Sequence, residues 1–138
     1  MLAKKVLEFW FTSDLKLSLS HPPAPISPSS FKLWFGASPE TDKLVSETFE
    51  SDLKSLAADP QLRSEMKENV EGAMCLIIFF DQLTRNIFRN KPEAFQYDHI
   101  ALEVAKLIRE KKWDMEMNPI YRGFAYLVSS LVAFYYPF

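Results

Sequence analysis

One apolar stretch decides the fold: Gly72-Ala73-Met74-Cys75-Leu76-Ile77-Ile78-Phe79-Phe80. It is apolar around the whole circumference of a helix, which is typical of a helix in the middle of a bundle. A buried strand is the competing interpretation, because the last four of these residues are prone to form strands. The polar segment that follows, from Asp81 to Arg89, restores helical spacing. The sequence therefore favours one long helix that ends near Asn90.

Proline and capping residues mark further helices on both sides of this one. Ser38-Pro39-Glu40 and Asp59-Pro60 each place a capping side chain before a proline in the first turn of a helix. No run of alternating strands and turns occurs, so the predicted fold class is all-α, an antiparallel helical bundle. The expected helices are residues 2–11, 39–58, 60–69, 93–111 and a last one from Pro119, and the helix after Pro92 is expected to bury Phe95, Ile100, Ala101, Val104, Ala105 and Ile108.

Two segments do not fit this helical pattern. Residues 18–30 hold four prolines among serines, which favours open coil, so we expect a proline-rich surface insertion loop. Its P-x-x-P spacing leaves a ligand for an SH3-type domain as an alternative. Residues 123–138 carry no charge, but as a helix they span only about 24 Å, against roughly 30 Å for a hydrocarbon core. We therefore expect a core helix there rather than a membrane span, and a membrane tail anchor stays as the alternative. In residues 1–11, Glu8 interrupts the apolar run and no cleavage site follows, so we expect no signal peptide and a cytoplasmic protein.

Composition excludes most familiar chemistries. The chain has 138 residues, 48% of them apolar, which suits one domain with a real core. A net charge of −2 lacks the basic excess of a nucleic-acid binder, so no nucleic-acid partner is expected. Three glycines cannot supply a Rossmann loop, a P-loop or a nucleophile elbow. One cysteine and two histidines exclude an internal disulfide and a metal site rich in either residue, and we expect no cofactor.

Charged side chains interrupt the apolar face of the central helix. Asp81 and Arg85 share that face on a helical wheel, and the acid precedes the base by four residues, the favourable order for an ion pair. Arg89 lies four residues further along the helix. We call Asp81, Arg85 and Arg89 together the Asp/Arg ridge. The two arginines repel each other unless negative groups neutralise them. Asp81 can neutralise one, and Asp98 of the next helix or a bound anion can neutralise the other.

This ridge has three interpretations. It is a buried ion-pair network that locks two helices in register, a pocket for an anionic ligand that Asn86 helps to orient, or a set of surface charges without consequence. Trp34 and Lys32 are further candidate ligand contacts, although Trp34 has the alternative of packing under the proline-rich loop. His99 with Glu103 and a neighbouring acid is too small a ligand set for us to predict a metal site. Cys75 is expected to be an inert buried thiol.

Four blocks of sequence carry a family resemblance. They are Val6-Leu7-Glu8-Phe9-Trp10-Phe11; Lys32-Leu33-Trp34-Phe35 with Asp42 and Phe49; Asp81-Gln82-Leu83-Thr84-Arg85-Asn86-Ile87-Phe88-Arg89 with Phe95, Asp98 and Ala101-Leu102; and Arg122-Gly123-Phe124-Ala125-Tyr126-Leu127. Together they resemble an uncharacterised, widespread family called domain of unknown function 924. The third block is similar to the most specific motif of that family, with Thr84 in place of its usual proline.

The resemblance implies an all-α fold similar to tetratricopeptide-like superhelices, with one domain over residues 1–127. Members of the family continue into a histidine-serine-glutamate motif that this sequence lacks. Residues 128–138 are therefore expected to be an atypical apolar tail of a truncated chain. The resemblance implies no reaction.

Three functions follow from these observations. The first, which we expect, is a helical binding module that holds an anionic small molecule or peptide through Arg85 and Arg89. The second is a hydrolytic or phosphate-handling enzyme whose site is incomplete, since His99 is the only histidine outside the proline-rich loop. The third is a structural fragment without activity. Whether the chain is an enzyme stays open, because a helical superhelix hosts many unrelated functions.

Overall fold

A computed structural model describes residues 1–11 and 26–135, and the side chains of those residues up to 128. This part of the chain is helical and contains no β-strand, which confirms the all-α prediction. The α-helices are α1 (Leu2–Phe11), α2 (Pro28–Phe35), α3 (Pro39–Ala58), α4 (Pro60–Met66), α5 (Val70–Ile77), α6 (Thr84–Ile87), α7 (Asp98–Glu110) and α8 (Pro119–Tyr135). A π-helical turn (Ile78–Leu83) joins α5 to α6, and 3-10 turns lie at Pro92–Phe95 and Trp113–Glu116.

Capping side chains set the helix starts, as the sequence predicts. The Ser38 hydroxyl accepts a hydrogen bond from the Thr41 amide at 3.1 Å, which satisfies one of the unpaired amides at the start of α3. The Asp59 carboxylate accepts a hydrogen bond from the Leu62 amide at 3.0 Å and so caps the start of α4. A third cap, at Ser27, makes residues 28–30 the first turn of α2, so their assignment to the open loop is wrong. Residues 18–25 of the proline-rich loop, with its P-x-x-P motif, lie outside the described residues.

The central helix forms the middle of the core. Every residue from 72 to 80 is buried, and α5 packs against α1, α7 and α8. The alternative of a buried strand is therefore wrong. Phe79 contacts Phe49 of α3 edge to face at 5.7 Å, so the apolar wall continues from the π-helical turn onto α3. This packing carries the Asp/Arg ridge to the boundary of α3, α6 and α7.

The long helix departs from its prediction at its end and in its middle. It begins at Val70 and ends at Ile87, before Asn90, whose φ of 63° is left-handed. In its middle the Thr84 amide donates to the carbonyl of Phe79, five residues earlier, which defines the π-helical turn. That turn accommodates one more residue than an α-turn, so side chains beyond it are rotated relative to a simple helical wheel.

The helices on either side of the central one also differ in detail from their prediction. The segment after Pro92 begins as a 3-10 turn, and α7 itself begins at Asp98. Phe95, expected to be buried, lies in that turn and is 50% exposed, because a 3-10 turn places it on a different face from the buried side of α7. Helix α4 ends at Met66 rather than near Asn69, whose side chain caps the start of α5 instead.

Helix α8 runs through the position where the atypical tail was predicted to begin. It extends from Pro119 to Tyr135 without interruption at residue 128, and Val128 is buried in the core. Within residues 1–11 and 26–135, no helix is both long enough and apolar enough to cross a membrane.

Candidate functional site

Arg85 holds the Asp/Arg ridge to the helix that follows it. Its Nη2 lies 2.7 Å from the Asp98 carboxylate on α7 and 3.5 Å from the Asp81 carboxylate one turn earlier. Its Nη1 donates to the carbonyl of Ala94, and the guanidinium carbon lies 4.5 Å from the centre of the Phe95 ring. Both terminal nitrogens of Arg85 therefore donate to the protein itself, and its side chain is only 22% exposed.

Asp81 is the most enclosed member of the ridge. Its side chain is 3% exposed and accepts a hydrogen bond from the Gln82 amide at 2.7 Å. Burial raises the pKa of Asp81 above its ordinary value, because a charged carboxylate loses hydration there. The Gln82 bond and the Arg85 charge lower the pKa, but they only partly offset burial. Arg85 is thus the charge that favours the ionised form of Asp81.

Arg89 is paired with a residue that the ridge interpretation did not include. Its Nε and Nη2 donate to the two oxygens of Asp42 on α3, at 2.7 and 3.0 Å, which is a bidentate ion pair. Asn86 donates to the same carboxylate at 3.0 Å. Hydrogen bonding to Asp42 raises the pKa of Arg89, so the guanidinium keeps its charge. Asp42 therefore has the role that the sequence assigned to Asp98 or an anion, and Asp98 instead shares Arg85 with Asp81.

Trp34 and Lys32, the two other candidate ligand contacts, lie on α2. The Trp34 indole donates to the Trp10 carbonyl at 2.8 Å and packs against Phe124 at 5.2 Å. Trp34 thus fastens α2 to α1 and α8, which is a structural use. Lys32 is exposed, and within the described residues it takes no part in the ion pairs of the Asp/Arg ridge.

The residues considered for metal binding have other partners. Asp98 pairs with Arg85, and Glu103 forms an ion pair with Lys67 at 3.1 Å. No group of three or more histidine, cysteine or acidic side chains lies close enough to hold a metal ion in the described part of the chain. Cys75 is fully buried, and burial raises the pKa of its thiol to about 12, as expected for an unreactive cysteine.

The Asp/Arg ridge has two halves, one at each arginine. The Arg85 half joins α6 and the π-helical turn to α7, and the Arg89 half joins the end of α6 to α3. The carboxylates of Asp42, Asp81 and Asp98 pair with the guanidinium groups of Arg85 and Arg89, so the ridge and its partners carry no excess of positive charge. Sequence reasoning missed Asp42, 47 residues before Arg89, although this acid stands in the second block of the family resemblance and was the one available signal. It also missed Phe95 as the ring beneath Arg85.

Comparison with known proteins agrees with the geometry of the fold. The family described as "Bacterial protein of unknown function (DUF924)" matches residues 6–130. A solved protein of unknown function from Agrobacterium tumefaciens, ATU0120, has a similar structure, with a TM-score of 0.72 and 21% identity. The alignment covers 92% of this chain and 62% of that protein, so the present chain spans less than two thirds of its length. No curated protein matches the chain.

Proposed function

Because the chain belongs to the DUF924 family, whose description assigns no activity, we propose a function from its own residues. The protein is a helical binding module that takes an anionic small molecule or peptide at the Arg89 half of the Asp/Arg ridge. The group recognised is a carboxylate, and Arg89 is the side chain that binds it.

The observation that supports this proposal is the way Asp42 holds Arg89. A guanidinium carries five N–H donors, and Asp42 uses the edge formed by Nε and Nη2. The other edge, formed by Nη1 and the second hydrogen of Nη2, donates to no described residue. The Arg89 side chain is 36% exposed, so this second edge can be reached from solvent. Two parallel N–H groups match the two oxygens of a carboxylate.

Asp42 and Asn86 prepare this edge for binding. The bidentate pair with Asp42 fixes the plane of the Arg89 guanidinium. Asn86 donates to the Asp42 carboxylate and so fixes its position in turn. A fixed side chain loses less conformational entropy when a ligand binds. The charge of Asp42 cancels that of Arg89 and so weakens the attraction for a single group that carries two charges. Planar carboxylates are therefore favoured over dianionic phosphates at this site.

Arg85 supports the site without touching the ligand. Its two terminal nitrogens are used by Asp81, Asp98 and the Ala94 carbonyl. Its role under this proposal is the ion-pair network that fixes α6 against α7. Binding therefore depends on Arg89 directly and on Arg85 only through the position of α6.

A second candidate, a hydrolytic enzyme, has one observation in its favour. The raised pKa of Asp81 and its place in a π-helical turn are typical of functional sites. However, its side chain is only 3% exposed, so a substrate cannot reach it without a movement of the helices. Turnover of p-nitrophenyl acetate or phosphate that is lost in Asp81→Asn would favour the enzyme. If the wild type turns over neither substrate, the binding module remains the favoured function.

Thermal unfolding of matched variants tests the binding proposal. The probes are succinate and a hexaglutamate peptide, each added to the wild type, Arg89→Gln and Lys54→Gln. Lys54 is an exposed lysine on α3, about 18 Å along the helix from Asp42, so its variant removes one positive charge without touching the ridge. A ligand at ten times its Kd should stabilise the wild type by about 1.4 kcal/mol.

The expected result is that Lys54→Gln keeps this stabilisation and Arg89→Gln loses it. Glutamine at position 89 retains a donor for Asp42 but has no guanidinium edge. The proposal fails if neither probe raises the melting temperature of the wild type. It also fails if Arg89→Gln responds to the probes as the wild type does.

A further inference from the structure

A polar cavity lies between α4 and α7, away from the Asp/Arg ridge residues. Its volume is about 270 Å³, and its polar lining consists of Arg63, Ser64, Lys67, His99 and Glu103. Drug-sized ligands occupy cavities of about 300 Å³ or more, so this cavity suits a smaller molecule.

Arg63 lines this cavity and keeps part of its guanidinium free for a ligand. Its Nη1 donates to the carbonyls of Leu56 and Ala57 at 2.6 and 2.9 Å, which are orphan acceptors at the end of α3. These two bonds fix the guanidinium plane. The Nε and Nη2 donors have no acceptor among the described residues. They form the parallel pair of N–H groups that binds an oxyanion through two oxygens.

The charge of the cavity favours an anion. Lys67 and Arg63 supply two cations, and Glu103 supplies one carboxylate. Lys67 is paired to Glu103 at 3.1 Å, but its ammonium has three N–H donors, and its side chain is 24% exposed. Glu103 is 68% exposed, so its charge is screened by solvent more than that of Lys67. The hydroxyl of Ser64 and the imidazole of His99 add further hydrogen-bonding groups.

The number of these donors favours a tetrahedral oxyanion. Arg63, Lys67 and Ser64 together offer donors for three oxygens, whereas a carboxylate has only two. Pro60 and Ile100 supply the accessible apolar part of the lining, which gives a short apolar group a place beside the anion.

We propose that this cavity, which we call the α4–α7 cavity, binds the phosphate of a small phosphomonoester through Arg63, Lys67 and Ser64. The proposal goes beyond the carboxylate site at Arg89, and neither site requires the other. His99 borders the cavity as an additional donor to the same group.

Isothermal titration calorimetry with inorganic phosphate and with n-butyl phosphate tests this proposal. The butyl ester should bind more tightly, by about fourfold for each CH₂ that it buries against the apolar wall. Lys67→Gln removes one charged donor and should weaken binding by about tenfold. Glu103→Gln removes the competing carboxylate and should strengthen binding, by roughly fivefold. Both substitutions lie outside the hydrophobic core, so the variants keep the fold, whereas a change at Arg63 also disturbs the end of α3.

Two controls distinguish the α4–α7 cavity from binding elsewhere on the surface. Lys54→Gln removes an exposed charge on α3 and should bind phosphate as the wild type does. Arg89→Gln separates the α4–α7 cavity from the ridge, because only binding at the ridge depends on the Arg89 guanidinium. The proposal is overturned if Kd for both phosphates exceeds about 10 mM, or if Lys67→Gln and Lys54→Gln bind equally well. Loss of phosphate binding in Arg89→Gln would assign the anion to the ridge instead.

Discussion

Replacing Arg85 by methionine removes the cation that lies between two carboxylates. Methionine keeps the length and the apolar part of the side chain but cannot donate a hydrogen bond. Asp81, which is 3% exposed, would retain only the Gln82 amide, and Asp98 would lose its partner at 2.7 Å. The carbonyl of Ala94 would also lose its donor. The structure therefore predicts a large loss of stability from one exchange of similar volume.

The magnitude follows from the burial of these groups. Removing one partner of a buried ion pair costs about 3–5 kcal/mol, because the other charge is left without compensation. The contact of the guanidinium with the Phe95 ring adds about 0.5–1 kcal/mol at a half-exposed site. Protonation of Asp81 limits the total, since its pKa is already raised and rises further without Arg85. A loss of about 3–4 kcal/mol in the free energy of unfolding is expected near neutral pH.

The dependence of this loss on pH has a definite sign. A buried acid with a raised pKa contributes stability when it is protonated, and that contribution is lost as the pH rises through the raised pKa. The effect is larger in Arg85→Met, because no cation lowers the pKa of Asp81 there. The variant should therefore differ more from the wild type at about pH 8 than at about pH 4.5.

Urea unfolding followed by circular dichroism at both pH values measures these differences. Lys4→Met is the matched control, because Lys4 forms an exposed pair with Glu8 at 3.9 Å with the same spacing of four residues. Such a surface pair contributes about 0.3–0.5 kcal/mol. If Arg85→Met is destabilised no more than Lys4→Met, then Arg85 does not join α6 to α7 in the manner described.

Three further predictions concern the core and the α1–α2 contact. Gly72→Ala should lower the free energy of unfolding by about 1–3 kcal/mol or more in urea melts, since a Cβ would lie 2.0 Å from the carbonyl oxygen of Met66. Gly123→Ala is its control and should stabilise by about 0.5–1 kcal/mol, because nothing lies within 4 Å of the added carbon. Cys75, with its thiol pKa raised to about 12, should react with Ellman's reagent only after unfolding. Trp34→Phe should cost about 1 kcal/mol of stability through the lost indole donor, and succinate binding should be unchanged.

Helix positions were largely predictable because their signals are local. A serine cap and a proline specify the start of α3, and both residues adjoin the helix that they begin. The buried central helix was likewise visible as a run of apolar residues. The π-helical turn was not, because its hydrogen bonds to the fifth preceding residue leave no distinctive residue pattern. The exposed position of Phe95 follows from a 3-10 turn that helical spacing cannot indicate.

The candidate site was predictable only where its residues are close in sequence. Asp81 and Arg85 are four residues apart, and their pairing follows from helix geometry. The pairing of Arg89 with Asp42 depends on the packing of α6 against α3, and no local rule joins residues 47 apart. The polar α4–α7 cavity also depends on packing between helices that are distant in sequence. Arg63 and His99 lie on separate helices, and only the tertiary fold brings them to one space.

A nuclear magnetic resonance titration of the arginine side chains of the wild-type protein with succinate tests the Arg89 site most directly. Arg89 has one guanidinium edge open, whereas both terminal nitrogens of Arg85 already have partners. The Nη signals of Arg89 should therefore shift and saturate as succinate is added, while those of Arg85 stay unchanged. Unchanged Arg89 signals throughout the titration, or equal shifts at both arginines, would contradict a carboxylate site at Arg89.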